Sequence, residues 1–310
     1  MAKCDRCSKE SKISIPYGPL KFCREHFLEF FERRVRKTIR MNELVKGREK
    51  IAIGVSGGKD SLVTLHILHK IFGKTHPIHA IMIDEGIKGY RDKALRFAKK
   101  GCEELGVDYT IVSMKDEIGF SMTEIMKKIS KDKKLGKSCS YCGVFRRMLL
   151  NKTALELKAK KIATGHNLDD EVQSILMNFL DNDWARMARL GPIARVRGFK
   201  KFVPRIKPLY ETPESEVLAY ASFNGIEHFS EECCPFSWQA KRNHFREMVD
   251  NMEREMPGTK YKILASFREI RPKLKSFKGG ERPNSCKWCD SPASGEICQT
   301  CKQLEKIRKD

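Results

Sequence analysis

The chain has 310 residues, 40% of them hydrophobic, enough for one large domain with a real core and small appendages. Its formal charge of +21 and pI near 9.5 point to a polyanionic partner, most simply nucleic acid. No 18-residue apolar run is present and the start, Met1-Ala2-Lys3-Cys4-Asp5, lacks a signal-peptide core, so neither a membrane span nor export is expected. The expected compartment is the cytoplasm, where thiols stay reduced, and the 12 cysteines are expected to bind metals rather than form disulfides.

Cys4-x2-Cys7 and Cys23-x2-His26 supply four ligands from two short loops, the pattern of a closed tetrahedral zinc site. A basic helix follows over 27–46, apolar at Phe27, Phe30, Phe31, Val35 and Ile39. Its Arg/Lys face is either the solvated side of a core helix or an RNA-contacting face. Ile51–Val55 then reads as a buried strand, and Ser56-Gly57-Gly58-Lys59-Asp60-Ser61 as a glycine-rich turn opening a helix. Such a turn offers backbone amides and a helix N-terminus to an anion. It is not the ordinary P-loop, which has four residues between its glycines and Ser or Thr after its lysine. Here only Val55, Ser56 and Gly57 separate Gly54 from Gly58, and Asp60 follows Lys59.

Further apolar runs at 78–83, 108–113 and 162–164 alternate with helical segments, notably 91–105 and 144–160. This predicts an α/β fold, a doubly wound parallel sheet covered on both faces. Ligands bind at the carboxyl ends of such strands. That rule places the 56–61 turn, Ile83-Asp84-Glu85-Gly86 and Gly165-His166-Asn167 on one rim. The acids at 169–171 suggest Mg²⁺ beside a phosphate site. Helix capping explains Asn167 and Asp169 and leaves Asp170 free for the ion.

A third cysteine group joins Cys139-x2-Cys142 to the doublet Cys233-Cys234. Three thiolates suit a [4Fe–4S] cluster with one open iron, a redox pair working with a persulfide, or a zinc site one ligand short. Cys102, alone in a helical stretch, reads as core packing. Arg186, Arg189, Arg195, Arg197, Lys200, Lys201, Arg205 and Lys207 crowd a Pro-punctuated loop, a phosphate track or a solvated basic loop. The chain is helical from 213 to about 269. A basic linker over 271–282 then leads to Cys286-x2-Cys289 and Cys298-x2-Cys301, a second closed zinc set.

The turn at 56–61, Cys139-Ser140-Tyr141-Cys142-Gly143 with Arg146-Arg147, Gly165–Glu171, and Glu232-Cys233-Cys234-Pro235-Phe236 occur in that order between two zinc knuckles. In this the chain resembles the TtuA-type tRNA 2-thiouridine synthetases over essentially its whole length. These are PP-loop ATP pyrophosphatases of the adenine nucleotide alpha-hydrolase-like fold, related to the cytosolic wobble-uridine thiolases. The related TtcA-type 2-thiocytidine enzymes share the loop and central cysteines but lack the paired terminal knuckles. The resemblance implies adenylation of the C2 oxygen of a tRNA uridine by ATP, then its replacement by sulfur carried on a [4Fe–4S] cluster. It implies nucleotide contacts at Gly54, Val55, Ser56, Gly57, Gly58, Lys59, Asp60, Ser61, the Ile83 backbone, Gly165 and Asp170. Lys59 and Asp170 would be catalytic, the latter with Mg²⁺, and so would the cluster ligands Cys139 and Cys234, with Cys142 completing the cluster set. The doublet departs from the family's single Glu-Cys-Pro cysteine, which leaves Cys233 spare or a substitute.

The expected organisation is a zinc finger over 1–27, a basic linker helix over 28–48, a catalytic domain over 49–270 and a second zinc finger over 271–310. Expected partners are tRNA and a sulfur donor, either free sulfide or a ubiquitin-like thiocarboxylated carrier protein, with no membrane; the number of subunits is left open, a homodimer being one option. Three alternatives stand: a non-enzymatic zinc-knuckle RNA-binding protein, a PP-loop enzyme with another acceptor such as a cytidine or an amidated substrate, and a cluster-free persulfide thiolase.

Overall fold

The computed structural model describes residues 2–132, 135–194, 199, 201–230, 234–236, 240–274 and 284–309. The strands are β1 (Ile13–Ile15), β2 (Leu20–Phe22), β3 (Ile51–Gly54), β4 (Ile78–Asp84), β5 (Tyr109–Ser113), β6 (Lys161–Ala163), β7 (Ile193–Ala194), β8 (Arg205–Ile206), β9 (Asn284–Ser285) and β10 (Pro292–Ala293). The helices are α1 (Arg24–Met41), α2 (Lys59–Phe72), α3 (Arg91–Glu104), α4 (Met114–Ile118), α5 (Met122–Lys131), α6 (Ser138–Glu156), α7 (Leu168–Leu180), α8 (Trp184–Met187), α9 (Glu214–Phe223), α10 (Arg242–Glu255), α11 (Thr259–Ile270) and α12 (Gln299–Lys309).

The central sheet runs β5-β4-β3-β6-β8-β7, parallel except for the edge strand β7. Alternate residues of its strands enter opposite layers, as the two-residue period of a strand requires. Ile51, Ile53, Ala80, Met82 and Ala163 pack with α2, α3 and α9. Ala52, Ile81, Ile83, Val112 and Ile162 pack with α4, α5 and α6. The doubly wound sheet is thus covered on both faces, and its carboxyl ends form the predicted rim.

Four features differ from the sequence reading. The expected linker helix is part of the main core: Phe27, Phe31 and Val35 are fully buried with Ile51 and Leu65, and Phe31 stacks on Tyr220 at 4.2 Å. Each such side chain contributes roughly 1.5–3 kcal/mol by leaving water. α6 begins at Ser138 rather than 144, because Tyr141, Phe145 and Leu149 repeat at i, i+4, i+8 and draw the first turn onto the core. The loop-rich basic stretch after 184 also carries the two-residue strands β7 and β8, which its sequence did not announce. Of its cations, Lys207 pairs with Glu171 and Lys201 with Asp290, while Arg195, Arg197 and Lys200 lie outside the described residues. The C-terminal helical region is divided into α9, α10 and α11, with the Cys234 segment between the first two.

Candidate active site

The turn after β3 has the backbone a phosphate cradle needs. Gly57 has φ +90°, and a Cβ there would meet the Ala94 carbonyl oxygen at 2.0 Å, so only glycine fits. Gly58 is the N-cap of α2 and supplies no side-chain cap, which leaves the first-turn amides to the rim. Ser56 and Ser61 brace the turn: Ser61 Oγ accepts from Ser56 N–H at 3.1 Å and donates to the Gly58 carbonyl at 2.8 Å.

Lys59 opens α2 and is held by two carboxylates, Glu214 at 2.5 Å and Asp60 at 3.1 Å. Burial alone would lower the lysine's pKa; Asp60 and Glu214 outweigh it and raise it. Glu214 stands in the first turn of α9 with its N–H on Asp169 Oδ2 at 2.8 Å. A cation already paired with a carboxylate exchanges one anion for another when a phosphate enters, and so need not be desolvated anew.

The segment after β6 lies directly on this turn. A Cβ on Gly165 would fall 2.7–2.8 Å from the Asp60 carbonyl and Ser61 nitrogen, and Asn167 Nδ2 donates to Asp60 Oδ1 at 2.9 Å. Asn167 caps α7, as expected, but its partner corrects the reading that left Asp170 free. Asp170 closes a capping box with Asn167, at 3.1 and 3.3 Å, and accepts from Arg242 at 3.1 Å. Asp169 is buried and paired with Lys260. Asp60 and Asp170 remain about a third open to solvent and close enough for Asp170 to help raise the Asp60 pKa, a shift caused first by desolvation. They are the carboxylates that could share a divalent ion. His166 is solvent-exposed, yet desolvation first, and then the cations Lys207, Arg242 and Arg146, lower its pKa to about 4.

An ion network, buried at Arg91 and Glu85 and exposed at Arg146, links this turn to the helix of the central cysteines. Arg91 Nη1 donates to the Ser56 carbonyl at 2.5 Å and Arg91 Nε to the Ile83 carbonyl at 2.6 Å. Arg91 pairs with Glu85 at 2.8 Å and Glu85 with Arg146 at 3.2 Å, and the Arg146 charge acts on the Cys142 thiol. Of the Ile83 backbone, which is expected to contact adenine, the carbonyl is thus already engaged once. Cys139 and Cys142 occupy the first turns of α6 at i and i+3; Cys139 is exposed, and Cys142 packs with Cys234 and Phe236 against the second core layer. Desolvation pushes the Cys142 thiol up to about 11, with Arg146 opposing the rise. Cys233 lies outside the described residues. Cys102 is fully buried in the core, as expected.

Both terminal sets converge. Among the described residues, Cys4, Cys7, Cys23 and His26, and Cys286, Cys289, Cys298 and Cys301, each bring four ligand atoms within 4.8 Å of one another. The observed separations fit the edges of a tetrahedron with zinc–ligand bonds of about 2.0–2.3 Å: Cys7–Cys23 3.8 Å, Cys4–His26 3.4 Å and Cys289–Cys298 3.5 Å. Among the described residues, the central cysteines are not part of such a four-ligand group.

These features define a PP-loop domain, and residues 28–253 match that family. The tRNA 2-thiolation protein NcsA of Haloferax volcanii is 36% identical over 322 residues, covering 98% of this chain and 99% of that protein. The tRNA-5-methyluridine(54) 2-sulfurtransferase of Pyrococcus horikoshii is 38% identical over 300 residues, covering 97% and 93%. The structure of the U34-tRNA thiolase NcsA from Methanococcus maripaludis with its [4Fe-4S] cluster superposes with a TM-score of 0.84 at 34% identity, covering 99% of this chain and 96% of that one. The chain belongs to the PP-loop family, in its branch of tRNA 2-thiolation proteins.

Arg91, Glu214, Arg242 and Lys260 were not singled out by the sequence reading. Each is a lone charge whose partner is distant in sequence or hidden by the fold. Its place at a helix start was the only signal for Arg91.

Proposed function

We propose that the chain is an ATP-dependent tRNA sulfurtransferase that adenylates the C2 oxygen of a tRNA uridine and replaces it with sulfur. The observation that carries this reading is the Ser56–Arg91–Glu85–Arg146 chain, which ties a phosphate-type turn to the helix that bears Cys139 and Cys142. Lys59 and the first-turn amides of α2 would take the charge that develops on the phosphates as pyrophosphate leaves. Lys59 would exchange Glu214 for a phosphate oxygen as ATP enters. Asp60 and Asp170 would hold Mg²⁺, which neutralises the triphosphate. Cys139, Cys142 and Cys234 would hold a [4Fe–4S] cluster, whose remaining iron supplies a place to carry sulfur. The terminal sets would each hold one zinc.

Lys59→Ala should reduce tRNA-dependent pyrophosphate release by about 10²-fold or more, the scale of losing one charge-stabilising donor, with the melting midpoint near that of the parent. Release at the parent rate would remove Lys59 from the reaction. In the same preparations, Cys142→Ala should abolish the visible cluster absorbance and 2-thiouridine formation while keeping both zincs. A cluster that survives Cys142→Ala would assign its ligands elsewhere.

A further inference from the structure

The outer face of α1 carries cations that the reaction above does not use. Arg33, Arg36, Lys37 and Arg40 stand at i, i+3, i+4 and i+7, one stripe of the helix, opposite the buried Phe27, Phe31, Val35 and Ile39. All four are exposed, and none has an ion pair or hydrogen bond among the described residues. Glu29, one turn earlier, is the acid on the same stripe. Arg36, Arg40 and Lys46 also line a groove of about 530 Å³ with the apolar Ile39, Ile71 and Phe72. Lys46 is partnered there by Glu43 in a fully solvated pair worth little.

Four cations within seven helical steps span roughly 10 Å. Uncompensated like charges at that density repel one another, and the repulsion is relieved by a polyanion with closely spaced charges. A nucleic-acid duplex carries one charge per about 1.7 Å of its axis. An apolar floor beside the cations gives a base or ribose a surface to cover. The groove is remote from the turn: Phe72 is the last residue of α2 and Lys59 the first, a separation of roughly 20 Å at 1.5 Å per residue. We propose that this face holds the backbone of the tRNA at a second contact, about 20 Å from the phosphate-binding turn, so that the RNA is gripped away from the reacting uridine. The inference rests on the tRNA reading above.

The test compares Arg36→Gln/Arg40→Gln with Arg96→Gln/Lys99→Gln, an equal loss of charge on the exposed side of α3. Affinity for an unmodified tRNA transcript is measured from 50 to 200 mM salt. The α1 pair should lower the slope of log K against log salt by about 2, one phosphate contact each, and weaken binding about tenfold at 0.15 M salt. The α3 pair should leave the slope near the parent value. Pyrophosphate release at saturating tRNA should be unchanged by the α1 pair, which places the effect in binding. Equal slopes for the two pairs overturn the inference. So does an α1 pair that alters the oligomeric state in ultracentrifugation but not tRNA affinity, which would make the face a contact between copies. A parent protein that does not bind tRNA would instead overturn the functional reading. Melting midpoints of both pairs check that neither result reflects unfolding.

Discussion

At the N-terminus, Cys4 and Cys23 are buried in the same cluster as Ile51, Leu65 and Val217. At the C-terminus, Cys286, Cys298 and Cys301 bury Ala293 and one another in a small cluster of their own. The first knuckle reaches into the domain through Tyr17, whose hydroxyl pairs with Glu216 in the first turn of α9, two residues from the Glu214 that holds Lys59. The second reaches it through α12, which sends Ile307 into the layer of Phe145 and Leu149 and sets Gln303 on the Ser140 carbonyl, between Cys139 and Cys142. Similar ligand geometry thus serves two dependencies. One knuckle is a piece of the main core behind the phosphate-binding turn, and the other is a separate clip against the helix that bears the central cysteines.

Removing one ligand from each knuckle should separate them most widely. Cys23→Ser should lose one zinc and about 4 kcal/mol or more of global stability, the range reserved for lost metals and broken cores, read from denaturant midpoints. Cys298→Ser should also lose one zinc but leave the main transition close to the parent, with proteolysis confined to the segment after 284. Equal losses of global stability in the two variants would break the comparison.

A smaller change sharpens the N-terminal half of it. Tyr17→Phe removes the hydroxyl that donates to Glu216 and accepts from Arg34 at 2.6 Å. Glu216 is almost fully buried, and its remaining partner is Arg34 at 2.6 Å. Leaving a buried charged group one partner short should cost about 1–3 kcal/mol. Zinc content should stay at two per chain. A neutral result would mean that the aromatic packing of Tyr17 on Tyr261, at 4.8 Å, carries the contact alone.

Much of this was legible in the sequence because backbone and spacing carry it. Gly57, Gly58 and Lys59 encode a turn by their conformational and charge requirements, and the ligand spacings of both knuckles survive unchanged in three dimensions. The parallel sheet followed from short apolar runs alternating with helices. The rest was hidden for definable reasons. The amphipathic pattern of α1 shows that one face is buried but not against what, so core helix and linker look alike. β7 and β8 are two residues long and leave no periodic trace. Asp170 could be read as a free acid because a capping box and a metal site draw on the same residue types. The ion pairs of Glu85, Arg91 and Arg146, and of Lys59 with Glu214, join positions up to 155 residues apart, and a single charge announces no partner.

The smallest expected effect probes the C-terminal clip itself. Gln303 is buried against α6, and its amide donates to the Ser140 carbonyl at 3.3 Å. The same side chain's Oε1 is buried with no hydrogen-bond partner among the described residues. Gln303→Ala therefore removes a neutral hydrogen bond worth about 1 kcal/mol together with an acceptor that was costing something, and the two partly cancel. Global stability should therefore stay within about 1 kcal/mol of the parent. The first turn of α6, however, loses a tether located between two of the proposed cluster ligands. Cluster loss under a chelator or in air should accelerate by up to about fivefold, the kinetic equivalent of 1 kcal/mol, while the zinc count stays at two. Faster cluster loss at unchanged midpoint would assign α12 a positioning role toward the cysteines. A shifted midpoint with an unchanged cluster lifetime would reduce the second knuckle to a purely structural appendage.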